Sequence, residues 1–257
     1  GDRLLTTRTQ GLVTQIWIED SDGGHARQLT SAGAPELLFH PLMTPDGKLI
    51  FTGTPAGANG AWVPYYANAD GSGIRPLVTL PPGASAIGAA ALVDGGKQYV
   101  FGYADKQTEQ RLWIVPSGGG TPRQLWDGYV LSDGVAVSPD GRRIMILYRD
   151  STGKAIPTIL DISTTPVKVT TLNFDAKVLL PRYNFTPDGH ALTFIHRVGS
   201  SENIWATPLD GGKVYPITHF ADLPVADYAY SHDGRLVVSR VAPNSDAVVA
   251  TGLEGGH

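Results

Sequence analysis

Five polar residues of this 257-residue chain stand at or beside one recurring point of a repeat: His40, Asp133, Arg182, Asn184 and Asp227. Six residues ahead of the Asp of a repeated turn the sequence places His40, Gly88, Gly134, Arg182 and Asp227. Glu36, Asp133 and Asn184 are polar neighbours. An imidazole, a guanidinium, an amide and carboxylates brought to one ring would hold a polar ligand, a peptide terminus or a cation. The plainer alternative is a hydrated set of side chains paired with one another, because polar groups at strand ends need partners.

Other chemistry finds less footing. There is no cysteine, which excludes disulfides, thiolate nucleophiles and thiolate zinc sites. The nearest string to a nucleophile elbow, Gly83-Ala84-Ser85-Ala86-Ile87, ends in Ile and lacks the strand–turn–helix setting. Asn68-Ala69-Asp70-Gly71-Ser72-Gly73 opens like a calcium loop. Ile74-Arg75-Pro76 follows, however, with none of the further oxygen ligands or the closing Glu, so a hairpin turn accounts for it better. None of the seven histidines has a neighbour at the spacing of a local metal site. Gly118-Gly119-Gly120 reads as a turn and not as a phosphate loop.

The elements that must position these residues are two alternating hairpins. The first is built on Thr44-Pro45-Asp46-Gly47-Lys48, Ser138-Pro139-Asp140-Gly141-Arg142 and Thr186-Pro187-Asp188-Gly189-His190, with degenerate copies at Leu92–Gly96 and Ser231–Arg235. Its Asp residues are spaced 48, 46, 48 and 45 apart. Pro presets φ at the first central position, and Gly supplies the positive φ that follows. The second hairpin runs from Ile16-Trp17-Ile18 through Asp22-Gly23-Gly24 to Arg27-Gln28-Leu29-Thr30. It recurs at Leu112-Trp113-Ile114 and at Asn203-Ile204-Trp205, and in weaker form at Val63–Leu77 and Thr158–Val169. Trp17, Trp113 and Trp205 share one repeat position and are assigned to the core. Trp62 and Trp126, with Tyr65, Tyr66 and Tyr129, fall off that register, as residues of exposed loops or as loop packing.

Strands such as Leu49-Ile50-Phe51 and Ile144-Met145-Ile146-Leu147 are apolar without alternation, as in sheets covered on both faces. Two hairpins per repeat make a four-stranded blade, and the predicted fold is an all-β, six-bladed β-propeller of four-stranded antiparallel blades over residues 1–257. The first repeat lacks its first strand and the last lacks its fourth. Either strands pair across the closure or the terminal strands are missing. The polar point named above then falls on the innermost strands, around a central channel.

Composition bounds the partners. Net charge is −4 with 17% charged residues, and no basic run exceeds Arg142-Arg143, which argues against nucleic acid. No apolar stretch is long enough to span a membrane as a helix. The chain begins Gly1-Asp2-Arg3 without Met, as a piece of something longer would.

The Ser-Pro-Asp-Gly turn followed by Ile-Trp, Asp-Gly-Gly and Arg-Gln-Leu-Thr resembles the TolB-like, or PD-repeat, propeller along nearly the whole chain. The stretch 183–252 resembles the propellers that end bacterial serine/threonine kinases and winged-helix regulators. That resemblance implies a non-catalytic sensor or scaffold of a larger signalling protein, lying outside the cytoplasm on a membrane-anchored chain. It implies no cofactor, and a protein, peptide or small polar ligand at the channel face. Two alternatives stand beside it: a free-standing TolB-like periplasmic interaction module, and a metal-dependent hydrolase or lyase acting at the channel face. Leu92-Val93 in place of Ser-Pro, His232 in place of Pro, and the irregular hairpin at 156–172 depart from the pattern.

Overall fold

The computed structural model describes residues 3–240 except 12, 21–22, 32–34, 36, 56–60, 82, 105–109, 132–134, 173–182, 200 and 232–233. Every strand pair is antiparallel, and the strands follow one another as neighbours. The first sheet contains β1 (Arg3–Gln10), β2 (Val13–Asp20) and β3 (Arg27–Gln28). The second contains β4 (Leu38–Met43), β5 (Leu49–Gly53), β6 (Val63–Ala67) and β7 (Arg75–Pro76). The third contains β8 (Ser85–Val93), β9 (Gln98–Ala104), β10 (Arg111–Pro116) and β11 (Arg123–Trp126). The fourth has its first strand in two pieces, β12 (Tyr129–Val130) and β13 (Ala136–Val137), both paired to β14 (Arg143–Arg149), then β15 (Ala155–Asp161) and β16 (Lys168–Thr171). The fifth contains β17 (Tyr183–Phe185), β18 (Ala191–Val198), β19 (Ser201–Pro208) and β20 (Tyr215–Pro216). A hairpin of β21 (Val225–Tyr230) and β22 (Leu236–Arg240) follows.

The repeat predicts six blades. The described residues show five sheets of three or more strands, and the sixth repeat only as the hairpin β21–β22, because the rest of that repeat lies outside them. Among the described residues the first sheet has three strands.

The turn motif owes its recurrence to a closed set of hydrogen bonds. The Thr44 hydroxyl donates to Asp46 Oδ1 at 2.5 Å and accepts from the Lys48 amide at 2.8 Å, while the Gly47 amide donates to the Thr44 carbonyl at 2.9 Å. Ser138 and Thr186 repeat the pattern with Asp140 and Asp188. These hydroxyl residues are buried, so the carboxylate and the amide satisfy groups that water does not reach. The hydroxyl donors also hold the Asp140 and Asp188 carboxyls below the usual range. The second hairpin closes likewise on its final Thr: Thr30 Oγ1 accepts from the Ile16 amide and Thr218 Oγ1 from the Ile204 amide, both at 2.9 Å.

Alternate residues of each long strand serve opposite faces. Val100, Ile144 and Ile146 pack between the third and fourth sheets, while Met145 and Leu147 join Phe185 and Phe194 between the fourth and fifth. Leu49 and Phe51 pack toward Ile16 of the first sheet, and Ile50 toward Tyr99 and Phe101 of the third. Ile204 meets Val225 and Tyr228 of the last hairpin. Each seam therefore takes one face from each neighbour, which explains the unbroken apolar runs and defines a propeller. Buried hydroxyls bridge two seams: Thr52 to Tyr99 at 3.4 Å and Tyr228 to Thr193 at 3.1 Å. Burial pushes the Tyr99 phenol up to about 12 and raises Tyr228 as well.

Backbone contacts between sheets use glycine. A Cβ on Gly71 (φ +87°) would lie 1.7 Å from the Leu29 carbonyl oxygen of the preceding sheet, and one on Gly119 (φ +94°) would lie 3.1 Å from that of Leu77. Trp113 and Trp205 do pack against the seams, but half-buried at their margins rather than in their centres. Trp17 lies under the Arg8 guanidinium at 4.5 Å. Tyr65, Tyr66, Trp126 and Tyr129 are strand residues and not loop residues, and Tyr65 is buried in the first seam.

Candidate functional site

The innermost strands of the successive sheets are β4, β8, β12 with β13, β17 and β21, and the three whose course is described through the repeat point, β4, β8 and β21, each break register at or beside it. Between Phe39↔Thr52 and Leu42↔Ile50, His40 and Pro41 face a single partner residue. Pairing is interrupted between Ala86 and Ala90 in β8 and between Val225 and Asp227 in β21. His40, Gly88 and Asp227, each six ahead of the turn Asp, lie in or beside these breaks. A bulge inserts residues without partners and re-aims side chains, a device common at barrel rims and beside sites.

Of the residues expected at the channel, His40 is exposed on β4 with φ +52°, a conformation that side-chain-bearing residues adopt rarely. Its ring stands 6.5 Å from that of Phe39, which meets Trp62 at 5.0 Å. Trp62 thus joins a partly exposed aromatic group at this end of the channel. Asp227 is exposed on β21, and its Oδ1 accepts the Tyr228 amide at 2.9 Å. Asn184 lies on β17, and its amide donates to the Tyr228 carbonyl at 3.4 Å, which brings it beside the strand of Asp227. Asp133 and Arg182 lie outside the described residues, as does His232. His190 is exposed in its turn, as its position in the motif suggests.

Asp70 Oδ1 is engaged by the amide and hydroxyl of Ser72 at 2.9 and 2.7 Å, the bonding of a turn. Among the described residues no three His, Asp or Glu side chains group as metal ligands would, and no helix is long and apolar enough to cross a membrane.

At the opposite end of the innermost strands, next to the Pro-Asp-Gly turns, lies a cavity of about 310 Å³. Residues equivalent by repeat line it from three successive sheets: Pro139; Asn184, Phe185 and Pro187; Ala229 and Tyr230. Sequence reasoning reached only Asn184 of these. The signal available was the repeat itself, which sets the residues flanking each turn around one axis.

No family model matches the sequence, and no curated protein does. Solved structures do match. The TolB protein of Acinetobacter baumannii superposes with a TM-score of 0.67 at 18% identity, over 91% of this chain and 57% of that one. A TolB-type protein of Agrobacterium tumefaciens gives 0.63 at 20% identity, over 92% and 80%. An oligogalacturonate lyase in complex with manganese gives 0.58 at 18% identity, over 76% and 54%. The chain thus spans little more than half the length of two of these proteins. At such identity the likeness defines the fold: a TolB-like β-propeller of small antiparallel sheets.

Proposed function

We propose that this propeller is a non-catalytic binding module, the ligand- or protein-recognising part of a larger bacterial signalling protein on the extracytoplasmic side of a membrane. Its ring has six blades, the sixth begun by β21 and β22. The observation that carries the reading is the shared register break of the innermost strands. It falls at the repeat position of His40 and Asp227, where bulged backbone turns polar side chains toward the channel rim. The C-terminal resemblance to kinase- and regulator-linked propellers supports the signalling context.

Selection of a random peptide library on the immobilised chain tests the rim, with His40→Ala and Asp227→Ala run in parallel. Binders that lose at least tenfold in affinity on one of the two variants support the rim as the site. Binders retained equally by both variants overturn it. The reading frame upstream of Gly1 tests the context: a kinase or DNA-binding domain with a membrane span supports it, and a signal peptide directly before this propeller refutes it.

A further inference from the structure

The cavity beside the turns shares Asn184 with the residues expected at the channel but takes in neither His40 nor Asp227, and its chemistry is different. Its size is at the lower end for small-molecule pockets, suited to one ring system and not to an extended chain. Pro139 and Pro187 come from equivalent turns of successive repeats, Phe185 from β17, and Ala229 and Tyr230 from β21. These give flat, apolar walls. Burial raises the Tyr230 phenol above its usual value, so it keeps its proton at neutral pH, and its hydroxyl is within hydrogen-bond reach of Thr193. The Asn184 side chain, which donates to the Tyr228 carbonyl at 3.4 Å and also meets the Tyr228 hydroxyl, is the second polar group on the wall. Ser231, which also lines the cavity, is committed to its turn: its hydroxyl donates to the Arg235 carbonyl and accepts from the Arg235 amide. No lining side chain is itself ionised at neutral pH, and the charged groups behind the wall are Arg143, whose guanidinium stands 5.6 Å from the Phe185 ring, and Asp188, which acts on Tyr230.

The geometry points to a binding site for a neutral aromatic ring that carries a hydrogen-bond acceptor. The ring lies against the two prolines and Phe185, and its acceptor takes the Tyr230 proton. An ionised ligand would leave its charge without a counter-ion among the lining groups and bears the cost of partial desolvation. The same chemistry is offered by a free phenol and by a Tyr side chain of a partner. Binding of p-cresol and of N-acetyl-tyrosinamide to the intact chain separates these sources, since only the second carries peptide groups.

The test is ligand-observed NMR titration with these two probes, with phenylacetate and benzylamine as charged analogues. Saturable binding of p-cresol is expected. It should be abolished by Ala229→Trp, which fills the cavity from an exposed strand position, and weakened roughly 3- to 10-fold by Tyr230→Phe, which deletes the donor alone. Tighter binding of N-acetyl-tyrosinamide than of p-cresol assigns the site to a partner's side chain, and equal binding assigns it to a free ring. If no neutral probe saturates, if Tyr230→Phe binds as the native chain does, or if the charged analogues bind equally well, the proposal is overturned. Circular dichroism of both variants establishes that lost binding is not lost folding, and Tyr230→Phe keeps the test decisive should Ala229→Trp fail to fold.

Discussion

Replacing Gly71 by Ala isolates what holds one sheet of this propeller against the next. Two costs act there. An L-residue at φ +87° loses roughly 1–2 kcal/mol in backbone strain. The new Cβ would also sit 1.7 Å from the Leu29 carbonyl oxygen, where real contacts essentially never fall below 3.0 Å. Leu29 cannot yield freely, because it is buried and its amide is bonded to the Ile16 carbonyl at 2.8 Å. Overpacking of that kind adds about 1–3 kcal/mol, for a total of about 2–5 kcal/mol. Gly211 is the matched control: it occupies the same turn of the fifth sheet with φ +88°, and a Cβ there meets nothing within 4 Å among the described residues. It should bear the strain alone. Gly119, with its 3.1 Å approach to the Leu77 carbonyl, should fall between them. Urea unfolding of the three variants reads the series from the midpoint at constant slope. Melting temperatures should move by about 2–4 °C for each kcal/mol. Equal losses for Gly71→Ala and Gly211→Ala would refute the claim that glycine is needed for the approach of the sheets and not only for the turn.

Two further predictions concern the hydroxyl networks. Asp140 and Asp188 are held below the usual carboxylate range, so their contribution to stability is complete above the unfolded value of about 4 and is lost as pH falls through the lower folded values. Acid unfolding of the Asp140→Asn, Asp188→Asn double variant should accordingly show a shallower fall in stability below about pH 4 than the native chain. A double-mutant cycle of Tyr228→Phe with Thr193→Val should give a coupling of about 0.5–1.5 kcal/mol in urea unfolding, as their 3.1 Å buried bond crosses a seam. A coupling near zero would mean that the two hydroxyls find other partners.

Much of the architecture was legible in the sequence because its repeat is written in local chemistry. Thr/Ser-Pro-Asp-Gly closes its turn through bonds among its own residues, so position 44 or 138 can be read without knowing what lies across the molecule. Unbroken runs such as Ile144–Leu147 disclosed sheets covered on both faces because alternate side chains enter different seams. The recurring point at His40 and Asp227 was legible as a position, from spacing alone. Its bulges were not, because register depends on which partner residue each strand meets. The glycine of the second hairpin looked like a turn former only. Its second duty, admitting Leu29 to within 1.7 Å of where a Cβ would stand, depends on another repeat 42 positions earlier. The cavity among Pro139, Asn184, Phe185, Pro187, Ala229 and Tyr230 was invisible for the same reason. Each residue is ordinary in its own repeat, and the space between them exists only once three sheets are set side by side. The sequence by itself therefore determined the turns, the strands and their two-faced burial, which arise from bonds within a few residues. The tertiary structure decided register, seam contacts and the shape of the channel ends, which arise from distances between repeats that no local pattern encodes.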